Sequence, residues 1–429
     1  MSSHVPFRVG EWLESDAVKV NNWIGNLMSE IRPEDKTIHP TVENLKNYIE
    51  GNEEVLKLFQ EMFDEVPFDP PYDKDPDGNP QIRSYLLFLE VMDRIISTPP
   101  RYESGEFVGA AIYEILNWCI GTPAACTLFL NEELNEYLRL VLNEWTVFLL
   151  SPESTKYLTE DPVEGSFGSA ATSMVRNAEG NKAPFHEVFV CDPTQPHYGF
   201  SCWNDYFTRQ FRPGQRPVHD ADDDSKICNG CESAPYKIAY NVQKIDQFWI
   251  KGQPYSLHHM LRGEDDTVVD YFTGGTVYQA YLSAMNYHRW HSPVNGRVLR
   301  VRHIAGSYFA GCPEEGFDAS GSDSQRYMTE VATRALMFLQ CDNPTLGMVC
   351  FMAVGMGEVS TCEITCQEGD VVRKGDELGM FHFGGSTYCL IFGPQVKVLF
   401  ELGAGNEPGL SSSVIELNRT IATVERVEK

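Results

Sequence analysis

Basic side chains are scarce in this sequence: 34 Lys and Arg stand against 61 Asp and Glu in 429 residues, a formal charge of −27. Such a surface repels phosphate backbones and anionic lipid headgroups, which excludes nucleic acid as a natural partner. Long apolar runs are missing as well, since nothing approaches the ~20 uncharged residues that cross a bilayer. The best stretch, Val141 to Leu150, is short and contains Glu144. Met1 to Val20 has no basic segment leading into an apolar one, so no secretory signal is read there. The expectation is an intracellular, soluble, cytoplasmic protein with no integral membrane segment. In that compartment the 12 cysteines are reduced thiols. Cys228 and Cys231 form a C-x-x-C, but no second pair or histidine set stands nearby at zinc spacing, so no metal is expected. A phosphate-cradling glycine loop, a dinucleotide fingerprint and internal repeats are also absent.

What is present describes a folded chain. Hydrophobic residues make up 42% and aromatics 12%, which argues against disorder. The length exceeds one typical core. The expected class is α+β: a helical N-terminal module over residues 1–150, a linker over 151–184 in which Ala170 to Asn177 could form a short helix, and a β-rich domain over 185–429. Val42, Leu45, Ile49, Leu56, Phe59 and Phe63 recur near helical spacing, with Gly51 as a break. Pro67 to Pro80 is rich in Pro, Asp and Gly and predicts a loop. Ser84 to Ile96 and Glu106 to Leu150 read as helices, interrupted near Gly121 to Pro123. These apolar stripes are core faces rather than binding surfaces. From about Pro184 the texture changes to short β-rich runs with glycines between them: Val294 to Arg302, Gly347 to Val354, Val359 to Ile364, Tyr388 to Phe392, and Val396 to Phe400.

Four segments carry candidate chemistry. Gly384-Gly385-Ser386-Thr387 offers a peptide bond with little steric protection, whose carbonyl the Ser386 hydroxyl could attack. Taken alone it is a common loop composition. Tyr287-His288-Arg289-Trp290-His291 places two histidines three apart; alone they read first as two hydrogen-bonded structural histidines, with a candidate acid/base pair near neutral pH as the alternative. Glu232, beside Cys231, could orient a histidine, or be a surface carboxylate. Asp205 to Gly214 is an aromatic–basic stretch ending in a turn.

In this order the segments resemble the phosphatidylserine decarboxylase family. The matching residues are Tyr206-Phe207-Thr208-Arg209 with Arg216-Pro217, then Lys251-Gly252 with Tyr255-Ser256-Leu257. They continue with Tyr287-His288-Arg289, His291, Pro293 and Gly296, and end with Gly379-Met380-Phe381 and Gly385-Ser386-Thr387. The resemblance spans roughly residues 185–429, and the full layout, with the helical module in front, is similar to a fungal subgroup of tryptophan decarboxylases.

The resemblance implies a precursor that cuts itself between Gly385 and Ser386. His291, oriented by Glu232, would act as base, and Ser386 would become a pyruvoyl group. That ketone would capture the substrate amine as a Schiff base, and His288 would reprotonate the substrate Cα. The large and small chains would stay associated. Family members usually carry aspartate where this chain has Cys231-Glu232-Ser233. The expected substrate is a free aromatic amino acid, tryptophan first, because the net charge opposes anionic lipid and His382 stands where lipid-acting relatives often have lysine. The alternatives are phosphatidylserine decarboxylation to phosphatidylethanolamine, and an inactive scaffold of the same fold.

Overall fold

The computed structural model describes residues 38–66, 82–103, 106–107, 111–116, 119–162, 164–178, 183–245, 255–311, 324–358, 361–383, 386–409 and 411–427. Met1 to Val20, the Pro67 to Pro80 loop, Lys251-Gly252 and the Gly384-Gly385 pair lie outside the described residues. The chain divides into two compact units, one of Met1–Ser173, Asp192–Tyr206 and Gly306–Gln325, the other of Met174–Cys191, Phe207–Ala305 and Arg326–Lys429.

The first unit is helical for reasons visible in its caps. Pro40 opens the helix Pro40–Gly51, which buries Val42, Leu45 and Ile49 on one face. The break expected at Gly51 is there, and Asn52 caps the next helix, Glu53–Asp64, by accepting from Val55 N. Asn131 does the same for the helix Glu132–Leu149, whose buried face runs through Leu134, Leu138, Val141, Trp145 and Leu149. A small hairpin joins β1 (Tyr102–Glu103) to β2 (Glu106–Phe107). This division differs from the expected three-part layout. The segment expected to be a linker contains the 3-10 helix Pro152–Tyr157 and the helix Ser169–Ala178. Ser154 Oγ receives Trp203 N at 2.8 Å, and Asn135 Oδ1 receives Tyr308 N at 3.0 Å. Such single polar anchors bring distant segments into the helical unit without leaving any periodic pattern in the sequence.

The second unit is a set of antiparallel sheets. Its strands are β3 (Lys226–Cys228), β4 (Ala234–Tyr240), β5 (Thr276–Leu282), β6 (Arg289–His291), β7 (Gly296–Ile304), β8 (Arg334–Cys341) and β9 (Met348–Gly355). They continue as β10 (Thr361–Ile364), β11 (Val371–Val372), β12 (Glu377–His382), β13 (Ser386–Phe392), β14 (Val396–Phe400) and β15 (Thr420–Arg426). A seven-stranded sheet has the order β11-β7-β8-β9-β13-β5-β4, and three-stranded sheets have the orders β10-β12-β6 and β14-β15-β3. The central strand β13 reads Ser-Thr-Tyr-Cys-Leu-Ile-Phe and is buried at every position, so it lacks the polar alternation of a strand with one wet face. Tyr388, Leu390 and Phe392 join Trp290, Phe351 and Phe381 in the main core. Gly379 permits this packing, because a Cβ there would lie 2.2 Å from Glu363 O and 2.6 Å from the Trp290 ring. Among the described residues no helix is long and apolar enough to cross a membrane.

Candidate active site

Ser386 opens β13 and is flanked on both sides, by Leu282 of β5 and Gly355 of β9. Side chains alternate along a strand, so Ser386 shares its face with Tyr388 and Leu390, toward the main core. Its hydroxyl is buried and finds no hydrogen-bond partner among the described residues. Leaving such a group unpaired costs roughly 1–3 kcal/mol. The approach to Ser386 is irregular as well: Phe383 has φ 77°, a left-handed backbone that bulky residues seldom adopt.

The backbone brings His288 to the same corner. Strand β5 ends at Leu282, opposite Ser386, and the chain then runs on to His288. There Phe381 N donates to His288 O at 2.9 Å, just before β12 leaves for β13. The connection 283–287 thus runs from the sheet partner of Ser386 to His288, which is hydrogen-bonded to Phe381. The His288 ring is fully buried and stacks on Phe207 with centroids 4.0 Å apart. Arg209 fastens the first connection by donating to Met285 O at 2.6 Å and Asn286 O at 3.1 Å.

His291 lies farther along β6, opposite Glu377. Its Nδ1 is 2.7 Å from Gly375 O, and because a carbonyl only accepts, Nδ1 carries the hydrogen. Nε2 then holds the lone pair, which accepts from Tyr287 Oη at 3.0 Å. Burial lowers the His291 pKa, opposed in part by the Gly375 carbonyl, so the ring is neutral and basic at Nε2.

Glu232 does not orient His291 directly, contrary to the expectation from sequence. It is completely buried and takes the Arg216 fork, with Nε at 3.1 and 3.0 Å from its two oxygens and an Nη2 bond at 2.5 Å. Leu417 N adds a bond at 2.7 Å. A buried carboxylate needs a counter-charge, which a guanidinium fork supplies and a neutral imidazole cannot. Burial pushes the Glu232 pKa up, while Arg216 and the Leu417 amide pull against it. Glu232 reaches His291 only at a distance: Arg216 lies over Phe211 at 4.4 Å, and Phe211 stacks on Tyr287 at 4.3 Å.

Sequence reasoning assigned no role to several residues here. Arg209 and Arg216 lay in the matched aromatic–basic stretch, and Tyr255 and Tyr287 in matched motifs, so position marked them although chemistry did not. Gln279, opposite Cys389 in the β5–β13 pair, carried no signal at all. Cys228 and Cys231 are both buried free thiols, with burial pushing Cys228 up to about 11. Among the described residues no group of three or more His, Cys, Asp or Glu could hold a metal ion.

Burial also lowers the His382 pKa, against its 2.6 Å contact with Glu363. For His291 and His382 the folded chain therefore binds fewer protons than the unfolded chain just below the ordinary histidine value. Their contribution to stability is complete above about pH 6.5 and is lost as pH falls toward the depressed values. Urea midpoints should drop from about pH 7.5 to about pH 5.5, and His291→Gln should flatten part of that drop. A midpoint independent of pH in that window would contradict the assignment.

Comparison with known proteins agrees with this architecture. A family model described as phosphatidylserine decarboxylase matches residues 203–416, and a second of that description matches residues 39–175. Decarboxylase iboD of Amanita muscaria is 38% identical over 358 residues, covering 78% of this chain and all of that protein. L-tryptophan decarboxylase of Psilocybe cubensis is 31% identical over 441 residues, covering 98% of this chain and 95% of that protein. Phosphatidylserine decarboxylase proenzyme 3 of Schizosaccharomyces pombe is 30% identical over 213 residues, 49% of this chain and 21% of that protein. These matches make the protein a decarboxylase. The chain belongs to the phosphatidylserine decarboxylase family.

Proposed function

We propose that the protein decarboxylates a free aromatic amino acid, tryptophan before others, using a pyruvoyl group made from its own Ser386. The match along nearly the whole chain to a tryptophan decarboxylase carries this reading, whereas the phosphatidylserine enzyme of S. pombe matches over about half the chain. The absence of a membrane-spanning helix among the described residues and the charge of −27 fit a soluble substrate met in the cytoplasm.

Ser386 suits the origin of such a group. Its hydroxyl is buried without a partner among the described residues, and the strand that follows is held on both sides. In the proposed cleavage His291 draws the Oγ proton by way of the Tyr287 hydroxyl. Ser386 Oγ attacks the Gly385 carbonyl, and the acyl group moves from nitrogen to oxygen. Loss of the Ser386 Cα proton expels the Gly385 carboxylate, and hydrolysis releases ammonia, leaving residues 386–429 as a small chain associated with the large one. When formed, the pyruvoyl group supplies a ketone for the substrate amine and a sink for the electrons freed with carbon dioxide. His288, at the Ser386 corner, returns a proton to the substrate Cα. Such acid–base help is worth ~10²–10⁴-fold.

The test is amine formation from tryptophan, tyrosine, phenylalanine and phosphatidylserine vesicles. Tryptamine should form fastest, and His288→Ala should still cleave while losing turnover by about 10²-fold or more. Ethanolamine lipid as the main product would overturn the substrate assignment.

A further inference from the structure

The residue after Ser386 is held by a chain of buried hydrogen bonds that the proposed chemistry does not itself require. Thr387 Oγ1 donates to Ala280 O at 2.9 Å and accepts from Gln279 Nε2 at 3.1 Å. Gln279 Oε1 in turn accepts from Tyr255 Oη at 2.6 Å. All three side chains are buried. The direction is set at the Ala280 end: that carbonyl only accepts, so Thr387 Oγ1 donates to it and takes the Gln279 NH2, which leaves Gln279 Oε1 to accept from Tyr255. In the β5–β13 register Gln279 stands opposite Cys389 and Thr387 opposite Tyr281, so the amide reaches diagonally along the sheet.

Strand interiors rarely need such an anchor, because the ladder already holds them. Strand ends do, since chain termini fray unless tied down. We propose that Gln279 and Tyr255 are positioning residues that act through Thr387 to hold the new end of the small chain once the 385–386 bond is broken. The inference rests on the cleavage reading above. Before cleavage the connection from β12 fixes residue 386 from both sides. After it, the ketone is attached only through Thr387 N, and any slackness at Thr387 is transmitted to the reacting carbon two bonds from that nitrogen. Misplacement of a reacting group by about 1 Å can cost about 10²-fold in rate.

The experiment compares wild type with Thr387→Val, Thr387→Ser, Gln279→Leu and Tyr255→Phe, scoring cleavage on a denaturing gel, ketone content by phenylhydrazine titration, and kcat and KM per titrated ketone. Thr387→Val and Gln279→Leu should cleave and carry ketone, yet lose about 10- to 100-fold in kcat with little change in KM. Their combination should be no worse than either alone. Thr387→Ser, which keeps the hydroxyl, should stay near wild type. Tyr255→Phe, which removes one oxygen, should show a smaller loss in the same direction and keeps the test informative if Thr387→Val does not fold. Wild-type kcat per ketone in Thr387→Val, Gln279→Leu or Tyr255→Phe would overturn the inference, as would a loss explained wholly by missing ketone. An uncleaved wild type would instead overturn the cleavage reading.

Discussion

Ser386→Ala is expected to give one full-length polypeptide with no amine produced above background. The change removes a single oxygen that makes no hydrogen bond among the described residues, so the fold has little to lose. Leu282 of β5 and Gly355 of β9 pair with this position through the backbone, which alanine keeps. Loss of activity with an unchanged thermal midpoint would then be chemical in origin. Ser386→Cys makes the comparison sharper, because a thiol can still attack the preceding carbonyl while yielding the ketone poorly. It should cleave more than alanine and turn over far less than wild type. Two fragments from Ser386→Ala would place the scissile bond elsewhere.

The largest stability effect is expected at the buried pair of Arg216 and Glu232. Arg216→Met leaves Glu232, wholly inaccessible to water, with the Leu417 amide as its remaining bond of those described above. Removing one partner of such a pair costs about 3–5 kcal/mol, whereas replacing both by apolar residues is often close to neutral. Arg216→Met should therefore lower the urea midpoint strongly, and Arg216→Met with Glu232→Leu should recover most of the loss. The same pair separates two accounts of catalysis. If Glu232 oriented His291 directly, the double variant would fold and fail to cleave. With His291 held by Gly375 and Tyr287, it should cleave.

Much of the second unit was legible because its signals are local. The alternation around Val396 to Phe400 became β14, and the runs near Val294, Gly347 and Tyr388 became β7, β9 and β13, with ends moved by a few residues. The Gly51 break and the helical stripe around it are also local properties. Ser386 and His288 were singled out as candidates because motif order carries information across a chain. The partners of Glu232 were not, since Leu417 lies far away in sequence and nothing local says whether a carboxylate faces arginine or histidine. Gln279 was invisible for a related reason: its register with β13 exists only once β5 and β13 pair. The return of residues 306–325 to the helical unit depends on anchors such as Asn135, which periodicity cannot express.

The most direct measurement is the intact mass of the purified wild-type protein beside Ser386→Ala. Cleavage at Ser386 predicts two wild-type masses, the smaller matching residues 386–429 with a ketone replacing the N-terminal serine amine, and one full-length mass for the variant. A wild-type preparation that forms amine while showing only the uncut mass would contradict the account.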